Sequence, residues 1–198
     1  MPATPTVPLS PHEPRRLPGA PTVGVLALTS VILAVSPGST AAQTATDSYF
    51  RAAASHFDIP VEEVMILSEW RIPPEEVPVA LELARHAGVS TDALVTQRRS
   101  GSWNALARRH GVGLRPFYVA LPPAADQGPL GQARDAFQST PRDAWDTLSL
   151  SDAQIVALVN VAFLSDFLGV PVETVVEEAR GATSFVEVYA RLLESRGG

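Results

Sequence analysis

The 198-residue chain contains no cysteine, which excludes disulfides, a thiolate nucleophile, zinc–thiolate sites and a lipid-modified N-terminal cysteine. It contains no lysine either, so all 15 basic residues are arginines; codon bias accounts for that as readily as function does. Aromatic residues make up only 7%, so each ring is a candidate core anchor. The longest apolar or weakly polar run, Val23 to Val35, has 13 residues, too few to cross a hydrocarbon core of roughly 30 Å. No Gly-x-Ser-x-Gly elbow and no Gly-rich phosphate-cradling loop after a strand occurs, so nucleophilic hydrolysis and nucleotide chemistry have no motif to rest on.

What the N-terminus does have is the order of an export signal. Arg15 and Arg16 precede the apolar run, and Pro37-Gly38 and the small residues Ser39-Thr40-Ala41-Ala42 follow it. That order predicts a secretory signal peptide over residues 1–42, cut after Ala42, and with it an exported, periplasmic or secreted location. An uncleaved membrane anchor is the competing reading. Removing residues 1–42 takes away Arg15, Arg16 and Glu13, leaving 13 arginines against 20 acids and a formal charge of −7. Phosphate backbones and anionic lipid would repel such a surface, so nucleic acid is not expected as a partner, and with the short apolar run removed no membrane span is expected in the mature chain.

Beyond the signal, the chain says one thing twice. Ala87-Gly88-Val89-Ser90-Thr91-Asp92-Ala93-Leu94-Val95 returns eighty-one positions later as Leu168-Gly169-Val170-Pro171-Val172-Glu173-Thr174-Val175-Val176. Arg99 is answered by Arg180 and, after a one-residue slip, Ser102-Trp103 by Ser184-Phe185. Each copy reads as three helices with Gly-containing turns between them, which predicts an all-α fold of two related helix-turn-helix-like units packed together. Periodicity places helices over Ser48–Phe57, Val61–Trp70, Pro78–Ala87, Thr91–Arg99 and Trp103–His110, then Ser151–Phe167, Val172–Arg180 and Ser184–Glu194. Gly88 and Gly169 are expected to end their helices in the left-handed conformation. The expected organisation is a first unit over 43–120, a Pro/Gly-rich linker over 121–147 with one short helix near Gln132 to Gln138, and a second unit over 148–198. Trp145 is expected to dock onto the core.

Candidate chemistry meets a simpler explanation at each point. Glu62-Glu63 and Glu75-Glu76 could supply the two carboxyls of a glycosidase. Acids following Pro in a first helical turn are explained, however, by the helix dipole. His56, His86 and His110 each fall near a helix end, where they can satisfy terminal carbonyls, and none is spaced for a metal site. Ser68 with Glu69 and His86 lacks a nucleophile elbow. Arg98, Arg99, Arg108, Arg109 and Arg115 around Trp103 resemble a DNA-binding helix-turn-helix, but the acidic balance argues against it. Arg98 and Arg109 are expected to solvate the exposed face, and Arg99 and Arg180 to reach back to carbonyls or an acid. Trp103 and Phe185 read as ring anchors in the core, with Gly88, Gly169, Arg99 and Arg180 as the other structural residues. Catalytic, metal and cofactor-binding residues are not assigned.

Gly88-Val89-Ser90 through Arg99, Gly101-Ser102-Trp103, Leu150-Ser151-Asp152, Phe163-Leu164-Ser165, Gly169-Val170-Pro171 and Ser184-Phe185-Val186 together resemble a group of uncharacterised exported bacterial proteins. The resemblance spans roughly Phe57 to Tyr189, without most of the linker, and implies paired helical units behind a signal peptide. It implies no activity, ligand or site residue. The expectation is therefore an exported, non-enzymatic helical binding or scaffold protein of the cell envelope, with an envelope protein as partner and no cofactor. An envelope hydrolase using carboxylates from both units is the alternative.

Overall fold

The computed structural model describes residues 37–197, with side chains from residue 42 to 197. Nearly all of the expected signal peptide thus lies outside the described residues. Those residues form nine α-helices, three 3₁₀ segments and no strand, so the protein is all-α. The first helix, α1 (Pro37–Phe57), starts well before the expected Ser48, because proline's fixed φ suits a first turn where its missing N–H has no partner anyway. Residues 37–42 are the opening turns of this helix.

Helix α2 (Val61–Glu69) packs on α1. A 3₁₀ turn, Pro74–Glu76, leads into α3 (Val77–Ala87), where Pro78 is tolerated in the first turn. Gly88 ends α3 at φ +66°, a conformation that a Cβ would penalise. Helices α4 (Thr91–Arg98) and α5 (Trp103–Arg109) start on serines whose hydroxyls accept the N–H groups of Ala93 and Ala105, respectively.

The stretch 121–147 carries more structure than its punctuation suggests: α6 (Gly128–Ser139) and a 3₁₀ segment, Arg142–Thr147, fill most of it. Pro129 sits in the first turn of α6. Gly131 lies where a Cβ would fall 2.6 Å from the backbone of Asp126, so smallness here answers a packing need rather than marking a break. Leu130, Ala133 and Phe137 are buried and α6 packs along α7. Trp145 is 7% exposed, and its indole N–H is shared between the carbonyls of Phe137 and Thr140 at 3.2 and 3.0 Å.

Helix α7 (Asp152–Leu168) is the centre of the molecule. Ser151 and Gln154 form a capping box at its start. Ile155, Ala157, Leu158, Val159, Val161, Phe163, Leu164 and Leu168 are all buried, the pattern of a helix covered on every side. Helices α1, α3, α5 and α6 pack against it, as do α8 (Val172–Ala179) and α9 (Phe185–Gly197). Gly169 ends α7 at φ +62°.

Several backbone bonds recur at matching positions. The Val89 N–H donates to Ala84 O at 3.3 Å, and the Val170 N–H to Ser165 O at 3.1 Å. Gly101 donates to Arg98 O and Ala182 to Ala179 O, both at 3.4 Å. Past the one-residue slip, Leu106 donates to Ser102 O at 3.0 Å and Val188 to Ser184 O at 3.1 Å.

Candidate functional site

Two helix N-termini carry the polar architecture, and each borrows a carboxylate from a distant part of the chain. At the start of α5, the Trp103 N–H donates to Asp152 Oδ1 at 2.8 Å. Asp152 opens α7, so one side chain serves the first turns of two helices, where negative charge is favoured. Arg98 completes the cluster. Its Nε and Nη2 fork onto Glu76 at 2.9 Å each, Nη2 also pairs with Asp152 at 2.8 Å, and Nη1 donates to Gly101 O at 2.8 Å. The guanidinium carbon lies 5.1 Å from the centre of the Trp103 ring, within cation–π range. Burial opposes the charge on Arg98, but Glu76 and Asp152 outweigh it and raise its pKa. The expectation that Arg98 solvates an exposed face is corrected here: it is the hub of a network, because Glu76 and Asp152 converge on it only through tertiary packing.

At the start of α9, the Phe185 N–H donates to Glu75 Oε1 at 2.8 Å, and Ser184 Oγ accepts from the Glu187 N–H at 3.1 Å. Glu75 comes from the 3₁₀ turn before α3. Among the described residues no cation pairs with it. Burial therefore pushes its carboxyl up, the Phe185 N–H opposes this, and the charge of Glu76 adds to it. The backbone carbonyl of Glu75 accepts from Asn160 Nδ2 at 2.9 Å, and the same amide group donates to Val156 O at 2.8 Å. Asn160, the buried polar residue of α7, accepts in turn from the Tyr49 hydroxyl. Burial first, and then the charge of Glu75, hold the Tyr49 phenol well above its usual range, so it is a neutral donor.

Glu75 and Phe185 line a cleft of about 620 Å³ together with residues 124–130, Ala157, Val176, Ala179, Arg180, residues 182–184 and Val188. That volume falls in the range of small-ligand and peptide side-chain sites. Arg180 lines the same cleft, donates to Ala124 O and pairs with Asp126 at 3.6 Å and Glu177 at 3.2 Å. Phe185 is half-buried, whereas Trp103 is 1% exposed. Of the two rings expected to anchor the core, Trp103 lies wholly inside it and Phe185 borders the cleft.

The remaining sequence candidates stay apart. Glu62 and Glu63 are exposed. Ser68 Oγ donates to Met65 O at 2.5 Å while His86 bonds Glu82 at 2.9 Å, so no Ser–His pair forms. His110 bonds Gln97 at 3.1 Å. His56 packs edge-on to Phe57 and near Phe163, and burial lowers its pKa. Among the described residues no group of three or more His, Asp or Glu side chains could hold a metal ion. Arg99 is exposed and, among the described residues, makes no side-chain hydrogen bond or ion pair, unlike Arg180. Arg108 donates to the carbonyls of Thr147 and Leu148, Arg109 to Gln97, and Arg115 to the carbonyl of Arg142.

Sequence reasoning missed the structural roles of Asp152, Asn160 and Tyr49. Asn160 was open to detection, since an amide inside the apolar run Val159-Asn160-Val161 must find partners when buried. Among the described residues no helix is long and apolar enough to cross a membrane. Compared with models of known families, with curated proteins and with solved structures, the chain matches none.

Proposed function

We propose that this chain is an exported, non-enzymatic helical binding module of the cell envelope, made of two related units, 43–120 and 148–198, held together by the segment between them. One observation carries the reading. Glu75 and Asp152, both far along the chain from the helix they serve, each accept the first N–H of a helix, a structural task, while a cleft of about 620 Å³ stays open beside Glu75. The matching backbone bonds around Gly88 and Gly169 support a common origin for the two units. Export rests on the Arg15-Arg16, apolar-run and small-residue order.

N-terminal sequencing of secreted material should give a chain that begins at Gln43. A pull-down of the tagged protein from an envelope fraction should recover a stoichiometric protein partner. Retention of the N-terminus in the membrane would remove the export reading, and absence of any partner would remove the binding reading.

A hydrolase using carboxylates from both units is the second reading, favoured by the raised pKa of Glu75 at the edge of the cleft. It requires release of sugar or peptide fragments from cell-wall material, abolished by Glu75→Gln.

A further inference from the structure

The network around Trp103 shows what this fold does with a guanidinium, and the cleft around Phe185 repeats the surroundings without the cation. The offset of eighty-one residues carries Arg98 onto Ala179 and Gly101 onto Ala182, and the one-residue slip carries Trp103 onto Phe185. Ala179, Ala182 and Phe185 all line the cleft, as does Glu75, which plays toward the Phe185 N–H the part that Asp152 plays toward the Trp103 N–H. Three of the things Arg98 touches in one unit have a counterpart in the other: a ring, a carboxylate anchored on a helix N-terminus, and the backbone just past the preceding helix; the carboxylate onto which it forks, Glu76, is not matched. The side chain that would supply the cation has been cut back to a methyl.

We propose that the cleft is a docking site for an arginine side chain of a partner polypeptide, seated over Phe185 and against Glu75 as Arg98 is seated over Trp103 and against Asp152. The inference rests on the reading of the two units as copies and names the chemistry of the partner. Arg180 does not fill the place, since it is engaged by Ala124, Asp126 and Glu177. Leu130, Val176 and Val188 line the cleft as well, and such walls suit the methylene stem of an arginine. A planar fork that stacks on a ring favours arginine over lysine. About 620 Å³ is more room than one guanidinium needs, which fits a side chain presented on a polypeptide segment rather than a free cation. Burial without a cation explains the raised pKa of Glu75. The formal charge of −7 on residues 43–198 would steer a basic segment toward the protein.

The test is calorimetric titration of the purified full chain with the acetylated, amidated pentapeptide Ala-Leu-Arg-Leu-Ala, with its citrulline counterpart of the same shape but no charge, and with N-acetylarginine amide. The arginine peptide should bind saturably at one site, with the citrulline peptide and the free amide each at least tenfold weaker. Glu75→Gln keeps an acceptor for the Phe185 N–H but removes the charge, and should weaken binding at least tenfold with the helical spectrum unchanged. Ala179→Arg supplies the cation from within and should abolish binding while raising Tm. No binding of the arginine peptide, equal binding of the citrulline peptide or the free amide, or binding retained by either variant would overturn the proposal. An envelope partner that Ala179→Arg still captures would leave the binding module standing and remove the arginine site. Peptide binding without any envelope partner would do the reverse.

Discussion

The first turns of α5 and α9 both hold a carboxylate delivered from elsewhere in the chain, at the same 2.8 Å from the first N–H. They differ in the cation. Arg98 bridges Asp152 and Glu76 at the first, with side chains only 22%, 31% and 15% exposed, respectively, whereas Glu75 at the second pairs with no cation among the described residues and borders open space. A carboxylate on a helix N-terminus serves either turn, and the guanidinium is present at the closed junction and absent at the open one. Where it is present, a ring disappears into the core. Where it is absent, a ring is left at the edge of a cleft and the carboxyl resists ionisation.

The largest expected difference between the two ends lies in the rings. Trp103→Ala should cost roughly 3–5 kcal/mol as a core cavity, and Phe185→Ala only about 1–2 kcal/mol, since a half-buried ring has less apolar area to lose. Thermal or urea melts of both variants measure this, and equal losses would break the comparison. Next, Arg98→Ala should cost about 2–3 kcal/mol, because it strips charged hydrogen bonds from two partly buried carboxylates at once. High salt should recover little of that loss, unlike the loss of an exposed pair.

Smaller and equal effects are expected at the two helix-ending glycines. Gly88→Ala and Gly169→Ala should each cost about 1–2 kcal/mol from left-handed strain alone, as neither site has a neighbouring atom within 4 Å of an added Cβ. Unequal losses would show that the two turns are held differently.

The smallest effect is a pH dependence. The pKa of Glu75 is raised by burial in the folded state, so its stabilising contribution is full below the unfolded value and is lost as pH rises through the folded one. Glu75→Gln should therefore melt above the parent at about pH 7, and the two should converge at about pH 3.5, where both states of the parent are protonated. A parent that melts above the variant at neutral pH would show that the charge is stabilised by some other group.

The helices were legible because their signals are local. Pro60, Pro73, Ser90, Ser102 and Ser151 start helices or turns, Gly88 and Gly169 end them, and the capping box of Ser151 and Gln154 rests on two residues three apart. The stretch 121–147 was harder to read. Pro129 and Gly131 look like breakers one residue at a time, yet one fits a first turn and the other a close approach to Asp126. The candidate site was legible only in parts. The offset that pairs Arg98 with Ala179 and, after the one-residue slip, Trp103 with Phe185 is visible in the letters, but the acids that meet those rings come from before α3 and from the start of α7.

By itself, then, the sequence determined what depends on neighbours a few residues apart: helix starts and stops, the apolar face of each helix, the all-α class and the echo between two segments. Tertiary structure alone decided that α7 runs through the middle, that Asp152 and Glu75 cap helices far from them along the chain, and that Arg98 closes one of these junctions while Ala179 leaves the other open. The physical reason is range. Capping, dipole and backbone preferences act within a turn, whereas the partner of a buried charge is whichever group packing brings within about 4 Å of it.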